Sequence, residues 1–173
     1  DARWTNRNYS VIRLYDIHTG EQRQVTTRSA FFSPDINESG TEVLAVQVKP
    51  DGTNRICRID ASTGNILKEV PNHRNYFFTQ TRYLDAQTAI TAARNPQGNM
   101  VLMKINLEDG MMNNITPFSF NVMGYPLIKG DTVYFSAMRG KADKIFAVTI
   151  KSNKLYQLTN NVNGVYHPAV NAK

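Results

Sequence analysis

Residues 14–26 read Leu-Tyr-Asp-Ile-His-Thr-Gly-Glu-Gln-Arg-Gln-Val-Thr, and residues 58–64 repeat the start of this pattern as Arg-Ile-Asp-Ala-Ser-Thr-Gly. Weaker copies follow at residues 104–110 and 148–153. The turn positions recur at intervals of 44, 46 and 43 residues, at Gly20, Gly64, Gly110 and Asn153. Because glycine and asparagine best tolerate the left-handed backbone of a tight turn, this spacing predicts one turn repeated in four units.

Other landmarks keep the same period. Each unit continues to an apolar residue followed by threonine or proline, at Val25-Thr26, Val70-Pro71, Ile115-Thr116 and Leu158-Thr159. Three units open on an X-Pro step, at Phe32-Ser33-Pro34, Tyr125-Pro126 and His167-Pro168, whereas the remaining unit has Phe77-Phe78 and no proline. Repeats of about 40–50 residues are typical of β-propeller blades.

Each unit is predicted to contain four short strands. In the second unit these are residues 30–34, 42–48, 55–59 and 66–70, separated by turns rich in Gly, Asp, Asn and Pro. Residues 85–94 (DAQTAITAAR) are rich in alanine, which favours helix, but their place in the repeat is that of a strand. We expect a strand there.

The fold class predicted is therefore all-β, an arc of four-stranded antiparallel blades. We expect a part-blade at residues 1–28, blades at 29–75, 76–121 and 122–164, and the first strand of a further blade at 165–173. About four units are barely enough to close a ring, so we expect a fragment of a larger propeller. A ring of four closed through residues 165–173 is the alternative.

The composition fits this interpretation. Of the 173 residues, 41% are hydrophobic and 20% are charged, which excludes a mostly disordered chain. The sequence has no apolar run near the length of a transmembrane helix. Its one cysteine, Cys57, excludes an internal disulfide framework.

The repeat resembles that of TolB-type propellers on three features: the Tyr-Asp-Ile-x-Thr-Gly turn at residues 15–20, the Val25-Thr26 step, and Phe32-Ser33-Pro34-Asp35. The sequence departs from the family pattern after Asp35, and the third unit lacks Ser-Pro-Asp. The resemblance implies a periplasmic or envelope-associated scaffold. It also implies an alternative, since such propellers occur joined to peptidases in bacterial envelope proteins.

The sequence contains no recognisable catalytic or cofactor motif. The three histidines lie in different units without metal-ligand spacing, so we assign no metal and no cofactor. Cys57 alternates with neighbours on a predicted inner strand and is interpreted as a buried apolar residue. The aspartates that precede the turns, such as Asp16 and Asp60, are interpreted as bonding to local backbone.

Charge is divided between the two ends of the predicted blades. Because strands alternate in direction, the loops between second and third strands share an end with the inter-blade connections. This end, the basic face, carries Arg28, Lys49, Arg55, Arg74, Arg94, Arg139, Lys141 and Lys144 against Asp51 and Asp143. The other end, the acidic face, carries Asp16, Glu21, Asp35, Glu38, Glu42, Asp60, Asp85, Glu108, Asp109 and Asp131 against Lys129, Lys151 and Lys154.

The basic face is the one feature that predicts a function. Turn chemistry accounts for part of the acidic excess, whereas arginine and lysine have no special turn role. We expect a non-catalytic interaction module whose basic face binds an acidic protein segment or an anionic envelope polymer. The alternatives are a solvated face with no partner and an accessory propeller that gates substrate for a hydrolase domain outside this chain. Nucleic-acid binding fits poorly, because the sequence shows no sheet surface that combines aromatic and basic residues.

Overall fold

The computed structural model describes residues 9–27 and 29–171, and within them the chain forms fourteen strands and no helix. The first sheet has two strands, β1 (Arg13–Tyr15) and β2 (Gln22–Gln24). The second has four strands, β3 (Phe31–Ile36), β4 (Glu42–Val48), β5 (Asn54–Asp60) and β6 (Ile66–Glu69). The third comprises β7 (Phe77–Tyr83), β8 (Thr88–Arg94), β9 (Met100–Asn106) and β10 (Met112–Asn114). The fourth comprises β11 (Met123–Lys129), β12 (Thr132–Arg139), β13 (Ala142–Thr149) and β14 (Leu155–Gln157).

All four sheets are antiparallel meanders in chain order. Their first strands bring them together, since β3 contacts β7 and β7 contacts β11. The described residues therefore form an open arc of propeller blades, which confirms the predicted fold class. A closed ring of four is not observed among them. Residues 165–171 form no strand, although the Val165 N–H donates to the Asp143 carbonyl at 3.1 Å. The blade boundaries stay a prediction.

The alanine-rich segment is a strand rather than a helix. Asp85 accepts hydrogen bonds from the backbone N–H groups of Gln87 and Thr88, both at 2.8 Å, and thereby forms a turn. β8 follows directly and pairs with both β7 and β9, with residues Ala89 to Ala93 all buried. Tertiary packing overrides the intrinsic propensity of alanine here.

The repeated turns have the predicted geometry. Gly20, Gly64, Gly110 and Asn153 all have positive φ, between 52° and 76°. Gly64 also lies against the preceding sheet, because a Cβ there would be 1.9 Å from the Val25 carbonyl oxygen. A Cβ on Gly110 would be 2.1 Å from the Pro71 carbonyl oxygen. These two glycines therefore serve both the turn and the close approach of successive sheets.

The apolar-threonine step follows the last strand of each sheet that has it and bonds back to the segment of the preceding strand. The hydroxyls of Thr26, Thr116 and Thr159 accept the backbone N–H of Ile12, Leu102 and Ile145 at 2.9–3.0 Å. In the second sheet Pro71 takes the place of the threonine. There the Asn54 side chain accepts the Phe78 N–H at 2.8 Å and donates to the Phe78 carbonyl at 3.0 Å. This asparagine clasp joins the second and third sheets.

The first strand of each four-stranded sheet contains a bulge. The register shifts between Phe32 and Asp35, between Phe78 and Gln80, and between Gly124 and Leu127. Ser33 and Tyr125, each of which precedes the proline that opens its unit, have φ of 51° and 56°. His167, which fills the same slot, has φ of 53°.

The hydrophobic core lies between the sheets. Ile12, Val25 and Phe31 pack with Val43 and Ile59 between the first and second sheets. The junction of the second and third sheets buries Leu44, Ile56, Phe78, Met103 and Ile105. The junction of the third and fourth sheets buries Ile90, Leu102, Val133, Phe135 and Phe146. Because each sheet buries apolar side chains against its neighbours, the loops at both ends are left to face the solvent.

Candidate interaction surface

Five residues of the basic face lie on the connections between strands or at the strand ends next to them. Lys49 follows β4, Arg74 lies between β6 and β7, and Arg94 ends β8. Arg139 ends β12, and Lys141 lies in the turn before β13. Arg28 lies outside the described residues. In antiparallel meanders these connections fall at one end of the sheets.

Four of these cations are exposed to solvent, namely Arg74, Arg94, Arg139 and Lys141. Among the described residues, none of the four forms an ion pair with a carboxylate. Lys49 is half-buried. Exposed and unpaired cations attract anions at a distance, because their charge is not neutralised locally.

The other two cations are placed differently. The Arg55 guanidinium contacts the Glu69 carboxylate and donates to Gln47 Oε1 at 2.9 Å. Lys144 pairs with Ala137 in the β12–β13 ladder and is 7% exposed. Arg55 is therefore partly neutralised and Lys144 is largely covered, so the exposed charge of the face comes from the four residues above.

Several carboxylates of the acidic face have structural partners. Asp60 Oδ1 accepts hydrogen bonds from Ser62 and Thr63, and these bonds lower the pKa of Asp60 to about 2. Asp16 holds the equivalent turn, and bonds from Thr19 and His18 lower its pKa. The predicted local role of these aspartates is confirmed.

Two glutamates of the acidic face are ion-paired. Arg58 donates to both carboxylate oxygens of Glu42 at 2.8 and 2.9 Å, and Lys68 contacts Glu108. Much of the acidic face thus has a role in folding, and the same does not hold for the exposed cations of the basic face.

An aromatic loop lies among the exposed cations, and the repeat pattern did not predict it. Residues 117–122 read Pro-Phe-Ser-Phe-Asn-Val and connect β10 to β11. Backbone bonds hold the loop, since Ser119 pairs with Met100 and the Met138 N–H donates to the Val122 carbonyl at 3.0 Å. Phe120 lies between these two anchor points and is 85% exposed.

Phe118 is also exposed and meets Tyr76 edge to face, with ring centroids 6.4 Å apart. Two phenylalanines in a short loop with proline, serine and asparagine fit no strand pattern. This mismatch is the signal in the sequence that could have identified them.

A groove of about 350 Å³ lies beside this loop, between the third and fourth sheets. One wall comes from the third sheet, through β7, the end of β8 and the start of β9. The other comes from the fourth sheet, through β11, β12 and β13, and from the segment after β14. Its lining combines Arg94, Gln80, Ser136 and Asp143 with apolar side chains. Tyr125, which lines the groove, contacts His167 with ring centroids 3.8 Å apart and ring planes tilted by 40°.

The remaining candidates for chemistry have ordinary environments. Cys57 is buried beneath neighbouring strands, and this burial raises its pKa to about 11, so its thiolate is scarce at neutral pH. His18 and His73 are exposed. In the described part of the chain, no three His, Cys, Asp or Glu side chains gather in a group that could hold a metal ion. The described residues also include no helix with the length and apolarity to span a bilayer.

Blades of this construction, with a solvent-facing loop surface at each end, define a β-propeller fold. More particularly, the chain has a TolB-like propeller fold. It is similar to TolB from Acinetobacter baumannii, with a TM-score of 0.72 and 21% identity over 87% of this chain and 38% of that one. It is also similar to a protein assigned as TolB from Agrobacterium tumefaciens, with a TM-score of 0.73 and 15% identity over 88% of this chain and 54% of that one.

An acylaminoacyl peptidase from Pyrococcus horikoshii is a more distant likeness. Its TM-score is 0.57 at 13% identity, over 90% of this chain and 28% of the peptidase. The chain thus spans roughly a third to a half of the TolB structures and about a quarter of the peptidase. No protein-family model and no curated protein matches the sequence.

Proposed function

We propose that the protein is a non-catalytic propeller scaffold whose basic face binds an acidic segment of another protein. The observation that carries this proposal is the set of exposed cations Arg74, Arg94, Arg139 and Lys141 at the end of the sheets that also carries the aromatic loop of residues 117–122. Exposed apolar side chains grouped with unneutralised charges are typical of protein-binding surfaces.

A protein partner fits this surface better than an anionic envelope polymer. A polymer of charged sugars would use the cations and leave Phe118 and Phe120 exposed to water. A protein segment could cover these rings, and each buried aromatic side chain would contribute about 1.5–3 kcal/mol to binding. Binding of the polymer in place of the peptide would therefore argue against the proposal.

The test reverses three cations together, as Arg74→Glu, Arg94→Glu and Arg139→Glu. The probe is a fluorescein-labelled polyglutamate peptide that carries two phenylalanines, and its binding is followed by fluorescence anisotropy over a range of salt concentrations. Each exposed ion pair contributes up to about 1 kcal/mol, so we expect the triple reversal to weaken binding roughly tenfold or more and to flatten its salt dependence.

The matched control reverses three lysines of the acidic face, as Lys129→Glu, Lys151→Glu and Lys154→Glu. This variant has the same change in net charge, so long-range effects of total charge are equal in the two proteins. If both triple variants bind the peptide alike, or if the reversal of the basic face leaves binding unchanged, the proposed surface is wrong.

The second candidate function is an accessory propeller that gates substrate for a peptidase domain. It is favoured by the likeness to the Pyrococcus horikoshii peptidase and to prolyl endopeptidases, of which the chain covers 28% and 25%. The full-length sequence separates the two functions. A serine-hydrolase or zinc-protease motif in the same chain would support gating, and further blades alone would support the scaffold.

A periplasmic or envelope-associated location belongs to the same proposal. It is supported by the resemblance of the repeat and of the fold to TolB. Fractionation of the native host with an antibody to this chain would test it, and recovery with the cytosolic fraction would contradict it.

A further inference from the structure

The groove between the third and fourth sheets has an apolar floor built mainly from methionine. Three of the six methionines in the sequence line it, namely Met100, Met123 and Met138. Met100 and Met123 are buried at its base, whereas Met138 is 40% exposed at its edge. Methionine is unbranched and polarizable, so a methionine-lined groove adapts its shape to a guest and contacts aromatic rings favourably.

The size of the groove suits one large side chain together with the backbone next to it, rather than an extended surface. Its volume of about 350 Å³ lies at the lower end of the range for ligand pockets. The Gln80 side chain lies directly against Gly124 at one wall, since a Cβ there would lie 2.5 Å from Gln80 Oε1. The Tyr125 N–H donates to the same Gln80 oxygen at 3.4 Å, which sets the spacing of β7 and β11.

The groove lies next to exposed cations of the basic face. Arg94 lines it directly, and Arg139 and Lys141 come one and three residues after the lining residue Met138. The one described carboxylate in the lining is Asp143, and the proximity of Asp143 raises the pKa of the Tyr166 hydroxyl. One cation and one carboxylate therefore line the groove, and two further exposed cations lie at the turn between β12 and β13 that borders it.

We propose that this groove is a peptide-binding subsite that takes one aromatic or long aliphatic side chain from an acidic linear segment of a partner protein. The apolar side chain lies on the methionines, and the flanking carboxylates of the segment face Arg94, Arg139 and Lys141. Phe120, held on the adjacent loop, covers the outer side of the bound segment. This inference rests on the proposed function and adds the position and chemistry of the anchor.

An anionic lipid surface suits the site less well. A membrane would contact the tip of the aromatic loop and the cations, but it would leave the recess and its buried floor unfilled. A peptide can contact the recess, the charges and the loop together. Its anchor side chain would fill the recess, as at an interface hot spot, and its flanking residues would contact the surrounding rim.

The experiment measures binding of the purified protein to a positional-scanning library of nine-residue peptides with a varied central residue. The flanking positions are all glutamate in one set and all glutamine in the other. We expect enrichment of phenylalanine, tryptophan, methionine or leucine at the centre in the glutamate set. Replacing the selected anchor by alanine is expected to weaken binding roughly tenfold or more.

Two groove variants, Met138→Ala and Val122→Gln, change side chains that are 40% and 59% exposed, so both proteins are expected to fold. Met111→Ala is the matched control, because Met111 is 65% exposed in the turn before β10 at the opposite end of the third sheet. We expect both groove variants to bind the selected peptide several-fold more weakly and the control to bind it unchanged. Equal binding by Met138→Ala, Val122→Gln and the control would overturn the proposal.

Failure of this inference can be told apart from failure of the proposed function. If glutamate peptides bind with no preference for an apolar centre, the subsite is wrong while the basic face stands. If no peptide of either set binds, both are wrong. A further outcome is that the protein binds no peptide but binds phosphatidylglycerol vesicles, with this binding lost in the groove variants. That result would assign the surface to lipid and overturn the peptide subsite.

Discussion

The close approach of sheets at Gly64 leads to a sharp prediction for Gly64→Ala. At φ of 75° an alanine is strained by about 1–2 kcal/mol. Its Cβ would also lie 1.9 Å from the Val25 carbonyl oxygen and 3.0 Å from the carbonyl carbon, both backbone atoms of the preceding sheet. Relief of that overlap requires the sheets to move apart, and overpacking of this kind costs about 1–3 kcal/mol. We expect a total loss of about 3 kcal/mol.

Gly40→Ala isolates the strain from the overlap. Gly40 has φ of 71°, close to that of Gly64, yet a Cβ there would meet nothing within 4 Å. We expect this control to lose about 1–2 kcal/mol, because it has the strained backbone without the contact. Gly110→Ala, with its Cβ 2.1 Å from the Pro71 carbonyl oxygen, should behave like Gly64→Ala.

The assay is urea unfolding followed by circular dichroism, with free energies extrapolated to water. Thermal unfolding gives a second reading, since each kcal/mol lowers Tm by roughly 2–4 °C in a protein of this size. If Gly64→Ala and Gly40→Ala agree within about 0.5 kcal/mol, the sheets do not meet at Gly64 and the inter-sheet argument is refuted.

Two further predictions concern single polar side chains. Asn54→Ala removes both hydrogen bonds to the backbone of the fully buried Phe78, so we expect it to lower the free energy of unfolding by about 2 kcal/mol or more. The control Asn113→Ala changes an exposed side chain and should alter the free energy of unfolding by less than about 0.5 kcal/mol. Equal effects of the two variants would refute the clasp. The pKa of Asp60 is depressed in the fold from 3.8 to about 2, so its stabilising contribution is present above the ordinary pKa and is lost as the pH falls through about 2. Asn106 supplies the acceptor oxygen at the equivalent turn, so Asp60→Asn should keep the turn's hydrogen bonds without a group that titrates. We expect the urea midpoint of this variant to fall less than that of the unmodified protein as the pH drops towards about 2. An identical fall in both proteins would contradict the stabilising role of the Asp60 carboxylate.

The repeat made the fold predictable because its signals are local. A turn that requires positive φ favours glycine whatever surrounds it, so Gly20, Gly64 and Gly110 mark their positions in the sequence itself. The same spacing correctly outweighed the helical propensity of residues 88–94, because partners on both sides of β8 determine its conformation.

The bulges were less predictable. Proline disfavours the helical region for the residue before it, yet Ser33, Tyr125 and His167 all precede proline and have positive φ. The sequence marked these positions as entries to a unit, but it did not predict the left-handed conformation, which coincides with the register shift in β3 and β11 and is absent from the shift in β7. Phe78–Gln80 shows the same shift without any proline.

The role of the basic face stays a prediction, and the sequence indicated the chain positions of its residues but not their surroundings. Alternation of strand direction places Arg74 and Arg94 at one end of the sheets from sequence alone. The pairing of Arg55 with Glu69 and the burial of Lys144 depend on neighbours across strands, which a linear pattern does not contain. The exposure of Phe120 depends on the two backbone anchors of its loop, and these too come from distant segments.

The asparagine clasp at Asn54 has a mechanical consequence for the arc. It joins the second sheet to the third through two hydrogen bonds between the Asn54 side chain and the Phe78 backbone. Between the third and fourth sheets, the Tyr125 N–H donates to Gln80 Oε1 at 3.4 Å, and methionine side chains line the groove beside this contact. The two junctions are therefore held differently, the first by hydrogen bonds to the backbone and the second mainly by side-chain packing, so we expect the fourth sheet to separate from the third more readily than the third from the second.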